Sequence, residues 1–197
     1  MEHNQFRLDH RVILEMIPPE SSVLDLGCGN GDLLYLLIKG KNAHGQGIEI
    51  DEKAIYECVA KGLDALHGDI DSGLSEYGDK SFDYVILNQS LQQVRHFDQV
   101  FDDALRVGKK VIAGFPNFAY IASRSQLFFK GRAPVTPSLP YSWNETPNLH
   151  FLSIYDFRDY CIKKKATIER VVCVDAKKKI RFFPNLFAQA AIYLISR

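Results

Sequence analysis

The stretch Val23–Leu34, VLDLGCGNGDLL, limits what this chain can fold into more than any other. An apolar run rich in strand formers passes through Gly27-Cys28-Gly29-Asn30-Gly31 and directly into the apolar stretch Asp32–Ile38. Glycines allow a tight turn and let a ligand approach the backbone with no Cβ in the way. The free N–H groups at the start of the following helix then face that ligand. A glycine-rich turn alone is weak evidence, and strand–turn–helix context gives it weight. That context is present here.

A second feature supports the same reading. Glu49 ends the predicted strand Gly45–Ile50, about 20 residues beyond the turn, where a carboxylate accepts hydrogen bonds from ribose hydroxyls. The spacing LDLGCGNG is not the GxGxxG of dinucleotide sites, which favours a ligand with adenosine and no pyrophosphate. S-adenosylmethionine is such a ligand. Asp25 lies inside an apolar strand and needs a partner. It either holds the ligand's cationic amino-acid end or makes a structural hydrogen bond to the turn.

The rest of the first half extends the pattern. A helix is predicted over residues 6–17 and stopped by Pro18 and Pro19. A helix over Glu52–Lys61, strands over Leu63–His67 and Phe82–Leu87, a helix over Phe97–Val107 and a strand over Lys110–Phe115 follow. Alternating strands and helices imply βαβ crossovers and a parallel sheet covered on both faces. After the third strand comes HGDI, in which Asp69 suits the adenine amino group or a helix N-cap and Ile70 suits the ring face. Asn88-Gln89-Ser90 follows the fourth strand and opens the cleft beside the turn. All these groups fall at the carboxyl ends of strands, where open α/β sheets bind ligands.

Beyond residue 115 the pattern changes. Residues 116–150 are rich in proline and aromatic residues, including Tyr141 and Trp143, and read as a lid, a docking surface for a partner, or core packing. A helix over Ile154–Lys164 and strands over Ile168–Val174 and Ala190–Ile195 close the chain, the last two as an antiparallel pair. His96 as a base and His150 as a site residue compete with ordinary surface and hydrogen-bonding roles.

Composition bounds the function. Lys+Arg and Asp+Glu are equal at 24 each, which removes the simplest argument for nucleic acid or an anionic membrane as partner. Lys163–Lys165 and Lys177–Lys179 read as solvated faces. The four cysteines have no metal-ligand spacing, and no run has the length and apolarity of a transmembrane helix. The N-terminal MEHNQFRLDHRVILEM carries charges throughout and no apolar core, unlike a secretory signal. A cytoplasmic location and one domain over 1–197 are expected.

The segments VLDLGCGNG, GIEID, HGDI and FDYVILNQSL resemble the motifs of class I methyltransferases. More specifically, IPPESSVLDLGCGNGDLL, GFPNFAYIASRSQLFFKGRAPVT and LPYSWNETPNLHFLSIYDF resemble the methionine biosynthesis protein MetW family. The resemblance spans roughly residues 12–175, and the second half is its diagnostic part. It implies an α/β Rossmann-like class I methyltransferase fold, with a seven-stranded, mostly parallel sheet in the order 3-2-1-4-5-7-6. It implies binding of S-adenosylmethionine or S-adenosylhomocysteine at Gly27, Gly29, Gly31, Glu49 and Asp69. It also implies a role in methionine biosynthesis as companion or regulator of homoserine O-acyltransferase. The alternative is a methyltransferase acting on a small-molecule substrate. Asn30 departs from the family's usual Asp, losing a charge near the ligand's ammonium.

Overall fold

The computed structural model describes residues 7–197. The first helix, α1 (Leu8–Met16), ends just before Pro18, as the two prolines require; Phe6, the first residue of the predicted helix, lies outside the described residues. There follow β1 (Ser22–Leu26), α2 (Asp32–Lys41), β2 (His44–Glu49), α3 (Glu52–Ala60), β3 (Asp64–His67) and β4 (Phe82–Asn88). The chain continues through α4 (Phe97–Val107), β5 (Gly108–Pro116), the short α5 (Ile121–Ser125) and a single π-helical turn, Gln126–Lys130. It closes with α6 (Ile154–Lys163), β6 (Thr167–Val174), β7 (Lys179–Ile180), α7 (Pro184–Phe187) and β8 (Ala190–Ser196).

The strands form one sheet in the order β3-β2-β1-β4-β5-β8-β6-β7. The first five are parallel; β8 runs antiparallel between β5 and β6. This is the expected order with one correction: among the described residues there are eight strands rather than seven. The extra strand is the two-residue β7, which forms where the 175–189 connection folds back and pairs Cys173 with Ile180 at the sheet edge. Such a short pairing carries no apolar alternation for a sequence reading to detect.

The nearly continuous apolar strands are explained by burial on both faces. In β4, Val85 and Leu87 join the cluster with Phe101, Phe115 and Phe157 under α4 and α6. Their neighbours Tyr84 and Ile86 point the other way, to Val12 and Ile13 of α1 and to Leu33 and Leu37 of α2. Alternate side chains of one strand therefore anchor opposite helical layers. Helix α6 starts at a capping box: Asp156 N–H donates to Ser153 Oγ at 3.2 Å and Ser153 N–H donates to Asp156 Oδ2 at 2.9 Å. The parallel strands consequently end together on one side, and the glycine turn, Glu49, His67 and Asn88 gather at that end.

Candidate ligand-binding site

A cavity of about 480 Å³ opens at the carboxyl ends of β1, β2 and β4. Seven of the eight residues picked out from sequence line it: Asp25, Gly27, Gly29, Glu49, Asp69, Ile70 and Asn88. Gly31 is not among the lining residues. A Cβ there would stand 2.4 Å from Leu63 Cδ1 and 2.8 Å from Cys58 Sγ, so this glycine serves the packing of the turn. Gly29 is the reverse case. A Cβ on it would meet nothing within 4 Å, yet its φ of +55° is left-handed. The turn leaves open space beside Gly29 and none beside Gly31.

Glu49 ties the site together. Its Oε2 accepts from Gly29 N–H at 2.8 Å, and its Oε1 accepts from Ile50 N–H at 2.8 Å and Asp51 N–H at 3.0 Å. Gly27 and Cys28 N–H both donate to Ile48 O, at 2.8 and 3.1 Å. The glycine turn is thus laced to the end of β2 by backbone and carboxylate together. Asn30 does local work: its Oδ1 accepts from Asp32 N–H at 3.3 Å, and its backbone O accepts from Lys61 Nζ at 2.6 Å.

Asp25 is 2% exposed. Burial, with the nearby Glu49 charge added, pushes its carboxyl up to about 7, and no hydrogen bond from a described residue offsets this. A buried carboxylate without a donor is unfavourable unless a cation meets it. Of the two sequence alternatives, the structural hydrogen bond to the turn is not formed.

Asp69 caps the short 3-10 turn Ile70–Ser72, accepting from Asp71 N–H at 2.9 Å, while still lining the cavity. Asn88 donates through Nδ2 to Asp9 Oδ2 at 3.1 Å. His150 is held by structure: its Nε2 lies 2.9 Å from Val94 O and its ring stands edge-on to Phe97. The His96 side chain is 63% exposed, with Nδ1 3.6 Å from Asp71 Oδ1.

Several lining residues escape a reading of the sequence. Arg7 and His10 reach the cavity from the start of α1. Arg7 Nη2 donates to Asp9 Oδ2 at 2.6 Å. Burial opposes ionisation of Asp9, but Arg7, His10 and Asn88 together hold its carboxyl below the ordinary range. Burial lowers His10 despite the opposing pull of Asp9. Asp71 accepts from Arg95 N–H at 2.9 Å and His96 N–H at 2.8 Å, fixing the 91–96 segment as a cavity wall. The one available signal was the acidic DID run after the third strand.

The family model described as methionine biosynthesis protein MetW matches residues 7–195. The bifunctional methionine biosynthesis protein MetXA/MetW of Rhodopirellula baltica is 36% identical over 203 aligned residues, covering 96% of this chain. The chain spans only 33% of the length of that relative. A SAM-dependent methyltransferase from Archaeoglobus fulgidus superposes with a TM-score of 0.73 at 14% identity, covering 100% of this chain and 95% of the other. An S-adenosylmethionine-dependent methyltransferase from Mesorhizobium loti gives 0.69 at 16% identity, covering 95% and 96%. At these identities the structural matches show the fold, which is that of class I methyltransferases.

Proposed function

This chain belongs to the methionine biosynthesis protein MetW family, and from that premise we propose that it binds S-adenosylmethionine and serves as companion and regulator of homoserine O-acyltransferase. The observation that carries the ligand is the cavity beside Gly29, closed on one side by the Glu49–Gly29 hydrogen bond. Its volume of about 480 Å³ falls in the ordinary range for small-ligand sites. The residues fit the ligand's three parts. Asp25 meets the cationic amino-acid end, which resolves its donorless burial. Gly29 lets the ligand lie against the backbone, while at Gly27, which lines the same cavity, the place of a Cβ is taken by Ser90 Cβ, at 2.6 Å. Glu49 accepts from the ribose hydroxyls, Asp69 from the adenine amino group, and Ile70 covers the ring. Asn88, already held by Asp9, shapes the wall beside the sulfur, and Gly31 supports the turn. S-adenosylhomocysteine fills the same space without the sulfonium charge. The ligand, when bound, supplies an electrophilic methyl group.

The companion role rests on the relative in which the two activities are named together, MetXA/MetW, with two-thirds of its length outside the region this chain matches. S-adenosylmethionine lies downstream of methionine, so a sensor of it placed on an early enzyme couples product level to flux. Four free, buried cysteines suit a reducing cytoplasm. The test is the acyl-transfer rate of homoserine O-acyltransferase with and without this chain, each with and without S-adenosylmethionine. A rate that changes with the chain, and changes again with the ligand, supports the reading. A rate indifferent to both defeats it.

One observation favours a second reading, a methyltransferase acting on a small molecule. A neighbouring chamber of about 520 Å³ shares Arg7, Gln89 and Gln93 with the ligand cavity. It has room for an acceptor beside the methyl group. Gln89 at their common wall holds a left-handed φ of +65°, a strain common at binding sites. Release of S-adenosylhomocysteine in the presence of a metabolite extract is the measurement that favours this reading.

A further inference from the structure

The segment between α5 and α6 exposes an unusual amount of apolar surface. Phe128 is 83% exposed, Phe129 79% and Trp143 79%, with Tyr141 and Phe151 more than half exposed. Tyr141, Trp143 and Phe151 line one groove of about 260 Å³ together with Phe118, Leu127 and Leu139, and Phe128 and Phe129 follow Leu127 in sequence. Among the described residues, no charged one lines it. Single exposed apolar residues are ordinary; this cluster exposes on the order of 600 Å² of aromatic surface, at the top of the range for monomers. Charge-free, aromatic-rich surface is the composition of an interface centre.

The segment is also rigid where an interface needs it. Gln126 binds Val135 at both backbone atoms, N–H at 3.0 Å and O at 2.8 Å. Leu149 and His150 N–H both donate to Gln92 O, at 2.9 and 3.0 Å. A surface held in place before binding loses little freedom on docking. The same bonds join the groove to the ligand site, since Gln93, Val94 and Arg95, next in sequence to Gln92, line the ligand cavity.

We propose that this aromatic groove is the face on which homoserine O-acyltransferase docks. The proposal rests on the companion reading above and adds the place of contact. The occupant follows from the fused relative, where this region is tethered to the MetXA portion and the two are held at high effective concentration. The strap between groove and cavity makes the coupling reciprocal: whatever the bound ligand does to docking, docking does to ligand affinity.

Trp143 is the only tryptophan in the chain. Labelling with 5-fluorotryptophan therefore gives one ¹⁹F resonance at the groove. Titration with homoserine O-acyltransferase from the same cell is expected to shift or broaden it. The double variant L127S/W143S, at two exposed residues that line the groove, is expected to bind the acyltransferase at least tenfold more weakly while titrating normally with S-adenosylmethionine. Both residues are exposed, so the fold tolerates the change. If the wild type binds and the double variant binds equally well, the groove is not the docking face, and the companion reading stands. If the wild type forms no complex, the companion reading fails and the docking face fails with it. If sedimentation shows that the chain alone self-associates and the variant abolishes only that, the face joins two copies of this chain and the proposal is overturned.

Discussion

Glu49 and Gly29 are joined by a 2.8 Å hydrogen bond from the glycine N–H to the carboxylate Oε2. That bond makes the end of β2 and the glycine turn a single element. The carboxylate that receives the ribose in our reading also holds the turn on which the ligand lies. Its other oxygen accepts two further N–H groups, from Ile50 and Asp51. Ligand binding and local order therefore share one side chain.

Replacing Glu49 separates these two duties. Glu49→Gln keeps the size and one acceptor oxygen, and is expected to weaken S-adenosylmethionine binding about tenfold, the loss of roughly one charge-assisted hydrogen bond. Glu49→Ala strands three backbone donors and is expected to lower the melting temperature as well as binding. Calorimetry and thermal melts on both variants check the split.

Gly29 and Gly31 of the turn predict losses of different size. Gly29→Ala has open space for its methyl group but a left-handed φ; it is expected to cost about 1 kcal/mol of stability and to block the ligand. Gly31→Ala drives a methyl group into Leu63 and Cys58 at the same kind of φ, and is expected to cost about 3 kcal/mol or more. Denaturant melts rank the two; a Gly31→Ala protein as stable as Gly29→Ala contradicts the packing account.

Asp25 predicts a pH dependence. Burial holds its carboxyl up at about 7 in the folded protein, above the ordinary 3.8. The folded protein thus holds a proton that the unfolded chain has released, and stability falls as pH rises from about 4 to about 7. Asp25→Asn removes this penalty. Its stabilising effect without ligand is expected to be larger at pH 8 than at pH 5, by about 2–3 kcal/mol. Equal effects at the two pH values contradict the buried, donorless carboxylate.

The same group links ligand binding to protons. A cationic amino-acid end beside Asp25 favours the ionised carboxylate, so binding is expected to release a proton near pH 7 and to tighten from pH 6 to pH 8. Calorimetry in two buffers of different ionisation enthalpy counts that proton. In Asp25→Asn the release is expected to vanish.

Much of this was legible in the residues. The limits of α4 match the periodic run Phe97–Val107, and the apolar strands, the antiparallel closing pair and the gathering of Asp25, Glu49, Asp69 and Asn88 follow from pattern and spacing. What escaped depends on contacts distant in sequence. Gly29 and Gly31 look alike in the motif and differ only in whether Leu63 and Cys58 stand behind them. Arg7 and His10 belong to no motif and reach the site only because α1 packs against the sheet beside β4. The strand β7 is two residues of backbone pairing with no periodicity to betray it.

The most direct test is a calorimetric titration of the purified chain, stripped of any co-purified ligand, with S-adenosylmethionine and with S-adenosylhomocysteine. The account predicts one site of micromolar affinity, lost in Glu49→Ala. It also predicts that Asp25→Asn weakens binding of both ligands, since both carry the ammonium that Asp25 meets. No heat and no saturation with either ligand would contradict the account, leaving a methyltransferase-like scaffold whose work is done through its protein partner alone.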